Sequence, residues 1–273
     1  MLDRQTVERW VRKEQHQCPR TRRAKATVAR QFALFLRRQN IDAFVLDKYS
    51  SPINRNVFSP YIFTHDQIRR LFGAVDLLPP HHRGPLRHLI MPELFRMLYG
   101  CGLRVSEALN LTAADVDLDQ GILVIRQGKF RKDRLVPMAS DLVARLRTYH
   151  ERLGPRPSEA IFFPAPDGGT YGSGSIYCIF RGLLSVCQIP HGGRNRGPRL
   201  HDLRSTFAVH RLARWYREGA DLGHKLPILS AYMGHQCISG TQHYLRVTLD
   251  LFGDLADRLD QAFGSVIPDE VKP

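Results

Sequence analysis

Several common chemistries lack the residues they need in this chain. Its 273 residues include five cysteines, Cys18, Cys101, Cys178, Cys187 and Cys237, an odd number with no C-x-x-C pair. That excludes a disulfide framework and the usual zinc-finger spacing. Cys237 lies between His235 and His243, which hints at a metal, but three neighbouring ligands with no distant partner make a poor zinc site. No apolar run reaches membrane-spanning length, and the N-terminal "MLDRQTVERWVRKEQ" lacks the form of a signal peptide, so a reducing cytoplasm and no membrane partner are expected. There is no internal repeat and no low-complexity tract. Carboxylates are scarce too: 26 Asp and Glu stand against 40 Lys and Arg, giving +14 and a pI near 10.0. They form no cluster that would cage Mg²⁺ for two-metal phosphoryl transfer, and no cofactor is expected.

The cationic surplus itself predicts an anionic partner, nucleic acid ahead of an acidic membrane. It is concentrated at the front, where residues 1–60 hold 13 Lys and Arg against 5 Asp and Glu. An apolar content of 43% is that of a globular protein, and the length allows one large domain or two modest ones.

The hydrophobic period predicts a short helix over residues 3–16 and a longer one in "TRRAKATVARQFALFLRRQN". There Val28, Phe32, Phe35 and Leu36 share one side, with Arg23, Arg30 and Arg37 opposite. The apolar side is expected to seek a partner and the basic side to be free for phosphates. "YSSPINRNVFSPYIF" reads as a linker, so a basic module over 1–57 is expected before a larger domain over 58–273. Thr64 to Gln67 has the form of a capping box, opening a helix to about Ala74. Helices are expected at 93–101, 105–109, "SDLVARLRTYHERL", 173–187, 199–217, 225–233 and 249–263. "ILVIRQ" and "RLVP", joined by "GKFRKD", read as a β-hairpin, and "IFF" as a short strand. The predicted fold class is mainly α with a small antiparallel β-sheet, α+β.

Four stretches hold residues suited to chemistry. "GLRVSEALNL" places Arg104 after a glycine helix stop and Glu107 one turn later. "GKFRKDR" places Lys129 in the hairpin. "LHDLR" puts His201 and Arg204 on one helical face. "MGHQCISGTQHY" supplies His235 and, nine residues later, Tyr244. Singly, each has an ordinary structural explanation. Together they form a set of cationic and neutral donors around one phenol. Guanidinium forks match phosphate oxygens, and a phenol is then the natural nucleophile.

The set, in this order, resembles the tyrosine recombinase (phage integrase) family. The family pattern is an Arg in G-L-R-x-S-E, a Lys in a hairpin of the type G-K-G-x-K-x-R, an H-x-x-R pair, and G-H followed nine residues later by Tyr. The match runs over about residues 60–264. The resemblance implies the tyrosine recombinase catalytic fold and a site-specific recombinase or integrase, belonging to a mobile element. It would act on double-stranded DNA through a 3′-phosphotyrosine, without metal or ATP. The implied catalytic residues are Arg104, Lys129, His201, Arg204, His235 and Tyr244, with Glu107 orienting Arg104 or His201. Phe130 stands where the family has a hairpin glycine, which makes Lys132 the alternative lysine. Ser205 stands where many members carry histidine.

The front is shorter than the family's core-binding domain, so 1–57 would be a partial one, its Arg22, Arg23, Lys25 and Arg30 tracking phosphate. The chain would then be a naturally short recombinase, a member needing an accessory recombinase subunit, or a truncated remnant. The last helix, with Leu251, Leu255, Leu259 and Phe263 on one side, would either pack on its own core or dock onto a neighbour in a homotetramer on DNA. Two other readings remain open: a DNA-binding remnant that no longer exchanges strands, and type IB topoisomerase-like relaxation.

Overall fold

The computed structural model describes residues 1–12, 19–47, 59–126, 133–193 and 197–249. The chain divides into two compact units, Met1–Phe58 and Ser59–Pro273.

In the first unit, α1 spans Arg4–Val11 and α2 spans Pro19–Arg38. Asp3 caps α1, its carboxylate accepting from the Thr6 backbone N–H at 2.7 Å, and Pro19 opens α2 where a missing N–H costs nothing. Asn40, in the left-handed region at φ 59°, ends α2. The expected faces of α2 are not the observed ones. Ala26, Ala29 and Ala33 are buried, the first two packing with Val7 and Val11 of α1. Val28, Phe32 and Phe35 are 59%, 52% and 54% exposed. Small side chains let two helices approach closely, and here that contact prevails over the bulkier stripe. Two arginines expected to be free are engaged: Arg30 donates to the Leu46 carbonyl and Arg37 Nε to the Ala43 carbonyl at 2.9 Å.

The second unit is built around α4 (Arg87–Gly100), whose Ile90, Met91, Leu94, Phe95, Met97 and Leu98 are buried around the helix. A helix apolar on most sides belongs in a core. Packed on it are α3 (His65–Asp76), α6 (Ser140–Leu153) and α8 (Leu200–Arg217), with α7 (Ser173–Val186) against α3. The expected capping box is formed: Thr64 Oγ1 accepts from Gln67 N at 3.1 Å and Gln67 Oε1 from Thr64 N at 3.0 Å. A short helix, α5 (Val105–Leu109), follows α4, and a 3₁₀ turn leads into a three-stranded antiparallel sheet in the order β1-β2-β3. The strands are Val116–Asp117, Ile122–Ile125 and Arg134–Pro137, with Leu123 opposite Val136 and Ile125 opposite Arg134. The fold is therefore α+β, mainly helical, as the sequence predicts.

Two elements depart from expectation. The "IFF" segment is not a strand: Ile161 forms one isolated bridge to Thr112, because its partner chain turns away into the 3₁₀ helix at Ala113. Its Phe162 and Phe163 instead pack on Tyr149, with ring centroids 5.4 and 5.5 Å away. The last helices are α9 (Leu222–Met233), capped by Asp221, and α10 (Ser239–Leu249). The predicted helix over 249–263 lies, from residue 250 onward, outside the described residues. A second apolar cluster joins α8, α9 and α10 through Phe207, Val209, Leu212, Leu229, Met233 and Tyr244. Burying each such side chain is worth roughly 1.5–3 kcal/mol, so α10 is held on α8 by the ring of Tyr244 itself. Among the described residues no helix is long and apolar enough to cross a membrane.

Candidate active site

Gly102 makes the first placement. Its φ of 58° is left-handed, and an added Cβ would sit 2.5 Å from the Phe207 ring. Glycine is thus required by backbone and by space, and the sharp turn sends Arg104 to the start of α5. Arg104 is fixed there by Glu107. The backbone N–H of Arg104 donates to Glu107 Oε2 at 3.0 Å, its Nη1 to Oε1 at 2.6 Å, and its Nη2 to the Gly234 carbonyl at 3.1 Å. Glu107 therefore caps its own helix and holds the arginine.

Glu107 has a second cation. Arg134, on β3, forks onto the same carboxylate at 3.0 and 2.7 Å. Burial alone would raise the pKa of Glu107, but the Arg134 hydrogen bonds, the Arg104 N–H and the nearby positive charge overcome it and hold the pKa at about 2.

Arg204 is 1% exposed, one turn into α8. It donates to the Gly102 carbonyl and the Met233 carbonyl, each at 2.5 Å, and its Nη2 lies 3.1 Å from His235 Nε2. Burial, then the neighbouring Arg104, pushes its pKa down from the ordinary guanidinium range, while Glu107 and Tyr244 oppose the shift. An arginine stays charged under such a shift. It has donors only, so His235 Nε2 accepts, and Nδ1 carries the ring proton toward Thr241 Oγ1 at 2.8 Å. Burial, followed by Arg204, Arg104 and Arg134, lowers His235 to about 4, in keeping with a neutral ring.

His235 sits just after Gly234, the left-handed cap of α9 at φ 66°. A Cβ on Gly234 would meet the Arg134 guanidinium at 2.9 Å. Tyr244 stands on α10, 6% exposed, its ring 6.2 Å from that of His235 at an interplanar angle of 25°. His201 lies at the exposed first turn of α8. Partial desolvation, then Arg204 and Arg199, lowers its pKa.

The fold thus brings Arg104, Glu107, His201, Arg204, His235 and Tyr244, drawn from α5, α8, the α9–α10 turn and α10, to one place. Lys129 and its alternative Lys132 lie outside the described residues. No group of three or more His, Cys, Asp or Glu converges among the described residues.

Comparison with known proteins decides the family: the model of the phage integrase family matches residues 62–250. The chain belongs to the phage integrase family. This places it among the tyrosine recombinases, enzymes that break and rejoin DNA strands in site-specific recombination. It is 37% identical over 207 residues to y4rB of Sinorhizobium fredii, named as an integrase/recombinase. The match takes in 74% of this chain and 66% of that protein. It is 32% identical over 254 residues to the tyrosine recombinase XerC of Oceanobacillus iheyensis, covering 87% and 73% of the two chains. Its fold is like that of a solved XerH site-specific recombinase, with a TM-score of 0.67 at 16% identity over 96% of this chain and 70% of that one.

Two further residues shape the site of this phage integrase fold, Arg134 and Thr241. Arg134 closes "GKFRKDR", a stretch in which the family resemblance points to the lysines. Strand period was the available signal, since it puts Arg134 on the same face as buried Val136. Thr241, within "MGHQCISGTQHY", is wholly buried and tethers His235 to α10, a role that no local pattern marks.

Proposed function

We propose that this chain is a site-specific recombinase of a mobile element, in which Tyr244 attacks the scissile phosphate of one DNA strand. The phenol oxygen forms a bond to phosphorus as the bond to the 5′-oxygen breaks, leaving a 3′-phosphotyrosine and a free 5′-hydroxyl. The 5′-hydroxyl of a partner strand then displaces the tyrosine. Phosphodiester energy is conserved in the covalent link, so neither ATP nor a resident metal is required in this reading.

The roles follow from charge and reach. Arg104 and Arg204 hold the non-bridging oxygens as negative charge develops, which is worth about 3 kcal/mol per donor. Lys129, with Lys132 as the alternative, gives a proton to the departing 5′-oxygen. His201, depressed in pKa and therefore neutral at pH 7, accepts the proton of Tyr244. His235 contributes a hydrogen bond to a phosphate oxygen. Its Nε2 accepts from Arg204 in the DNA-free arrangement, so this role needs the other tautomer once phosphate draws Arg204 away.

The observation that carries the proposal is the continuity from buried Arg204 to His235 to the ring of Tyr244. The first unit fits a DNA-contacting helical module of the core-binding kind. Its exposed Val28, Phe32 and Phe35 support an accessory recombinase subunit docking on this unit. A homotetramer on double-stranded DNA, assembled through the last segment of the chain, and a cytoplasmic location complete the reading. The test uses nicked duplexes tiled across the DNA flanking the chain's own gene. Wild type should form a covalent adduct on one of them and Tyr244→Phe none. A salt-sensitive gel shift with no adduct from wild type would favour a non-exchanging DNA-binding remnant.

A further inference from the structure

We infer that Arg134 is a positioning residue of the reaction, whose work is to neutralise Glu107 so that the charge of Arg104 remains available to the phosphate. The inference rests on the recombinase reading above and adds a residue to it.

Glu107 is needed to orient Arg104, since it binds both the backbone N–H and Nη1 of that residue. A carboxylate 2.6 Å from a guanidinium also cancels the positive field that guanidinium offers to a neighbouring anion. In a partly buried site this cancellation is large, so an arginine locked to one carboxylate is a poor phosphate ligand. Arg134 removes the conflict. Its fork takes both carboxylate oxygens at 3.0 and 2.7 Å, and its side chain is only 11% exposed. Arg134, Glu107, Arg104 and Arg204 together carry a net double positive charge. Without Arg134 the net would be single, with Glu107 and Arg104 matched one to one.

Arg134 cannot contribute by touching DNA from where it lies. Its Nε donates to the Tyr232 carbonyl at 2.9 Å, and its guanidinium abuts Gly234. It therefore also braces the turn that presents His235. The two functions separate experimentally, because only the first depends on the charge of Glu107.

The experiment compares wild type, Arg134→Met, and Arg134→Met with Glu107→Gln. Single-turnover cleavage is read on the duplex where wild type forms an adduct, and the salt dependence of binding is read on a 30-base-pair duplex. Arg134→Met is expected to cleave about tenfold more slowly or worse. Its slope of log K against log salt should fall by about one, the signature of one lost phosphate contact, although Arg134 makes none. Adding Glu107→Gln should recover most of both. A double variant as slow and as shallow in slope as Arg134→Met, or an Arg134→Met indistinguishable from wild type, would overturn the inference. The binding arm decides this even where wild type forms no adduct, an outcome that would count against the recombinase reading instead. Should Arg134→Met melt below the assay temperature, the uncharged but hydrogen-bonding Arg134→Gln, with and without Glu107→Gln, runs the same comparison.

Discussion

The Nδ1 atom of His235 and the hydroxyl of Thr241 lie 2.8 Å apart, and this single contact ties the turn after α9 to the helix that carries Tyr244. His235 and Tyr244 are nine residues apart, and the buried Thr241, six residues after the imidazole and three before the phenol, fixes how turn and helix bring the two rings together. Thr241→Val keeps the shape and deletes the acceptor. It should leave a buried N–H unpaired, cost about 1–3 kcal/mol of stability, and slow adduct formation about tenfold. Thermal melting and single-turnover cleavage on one preparation check both parts.

Gly102 gives a prediction about folding. Gly102→Ala forces a methyl group into the Phe207 ring at a backbone angle that favours glycine. The cost should be about 2 kcal/mol or more, lowering the melting temperature by about 5 °C. Because the same turn supplies the carbonyl that Arg204 binds, cleavage should fall along with stability.

Acid should destabilise the protein in two stages. His210, beside Tyr99 at 2.9 Å and stacked on His65, is lowered by burial and then by His65 to about 4, as His235 is lowered to about 4. Their pKa values in the fold lie below the unfolded value of 6.5, so the unfolded chain takes up protons first as pH falls. Stability is then complete above 6.5 and declines between 6.5 and about 4. Glu107, held at about 2 against an unfolded 4.5, adds a second decline between 4.5 and 2. Melting curves from pH 7.5 to 3 should show the first decline, reduced in His210→Gln. A melting temperature flat between pH 7 and 4.5 would contradict it.

Much of this organisation was legible in the sequence, and the exceptions share a cause. Helical period, the Thr64 capping box and the β-hairpin are local signals, readable without knowing what packs where. The face α2 buries is a tertiary choice, made by Ala26, Ala29 and Ala33 against α1, and a hydrophobicity pattern points to the bulkier Val28, Phe32 and Phe35 instead. The two-residue strand at Val116 exists only through its pairing with Leu123. In the site, the order of motifs located Arg104 and His235, each beside a glycine turn, and Arg204 and Tyr244, each at a readable spacing from a histidine. Arg134 was harder to see because its importance lies in a charge balance with Glu107, 27 residues away in sequence.

The most direct test is to trap the protein on cleaved DNA, digest it, and identify by mass spectrometry the peptide that carries the nucleotide. The account predicts one modified peptide, with a 3′-phosphate ester on Tyr244. A nucleotide attached through any other residue, or joined to the protein through its 5′-phosphate, would contradict it.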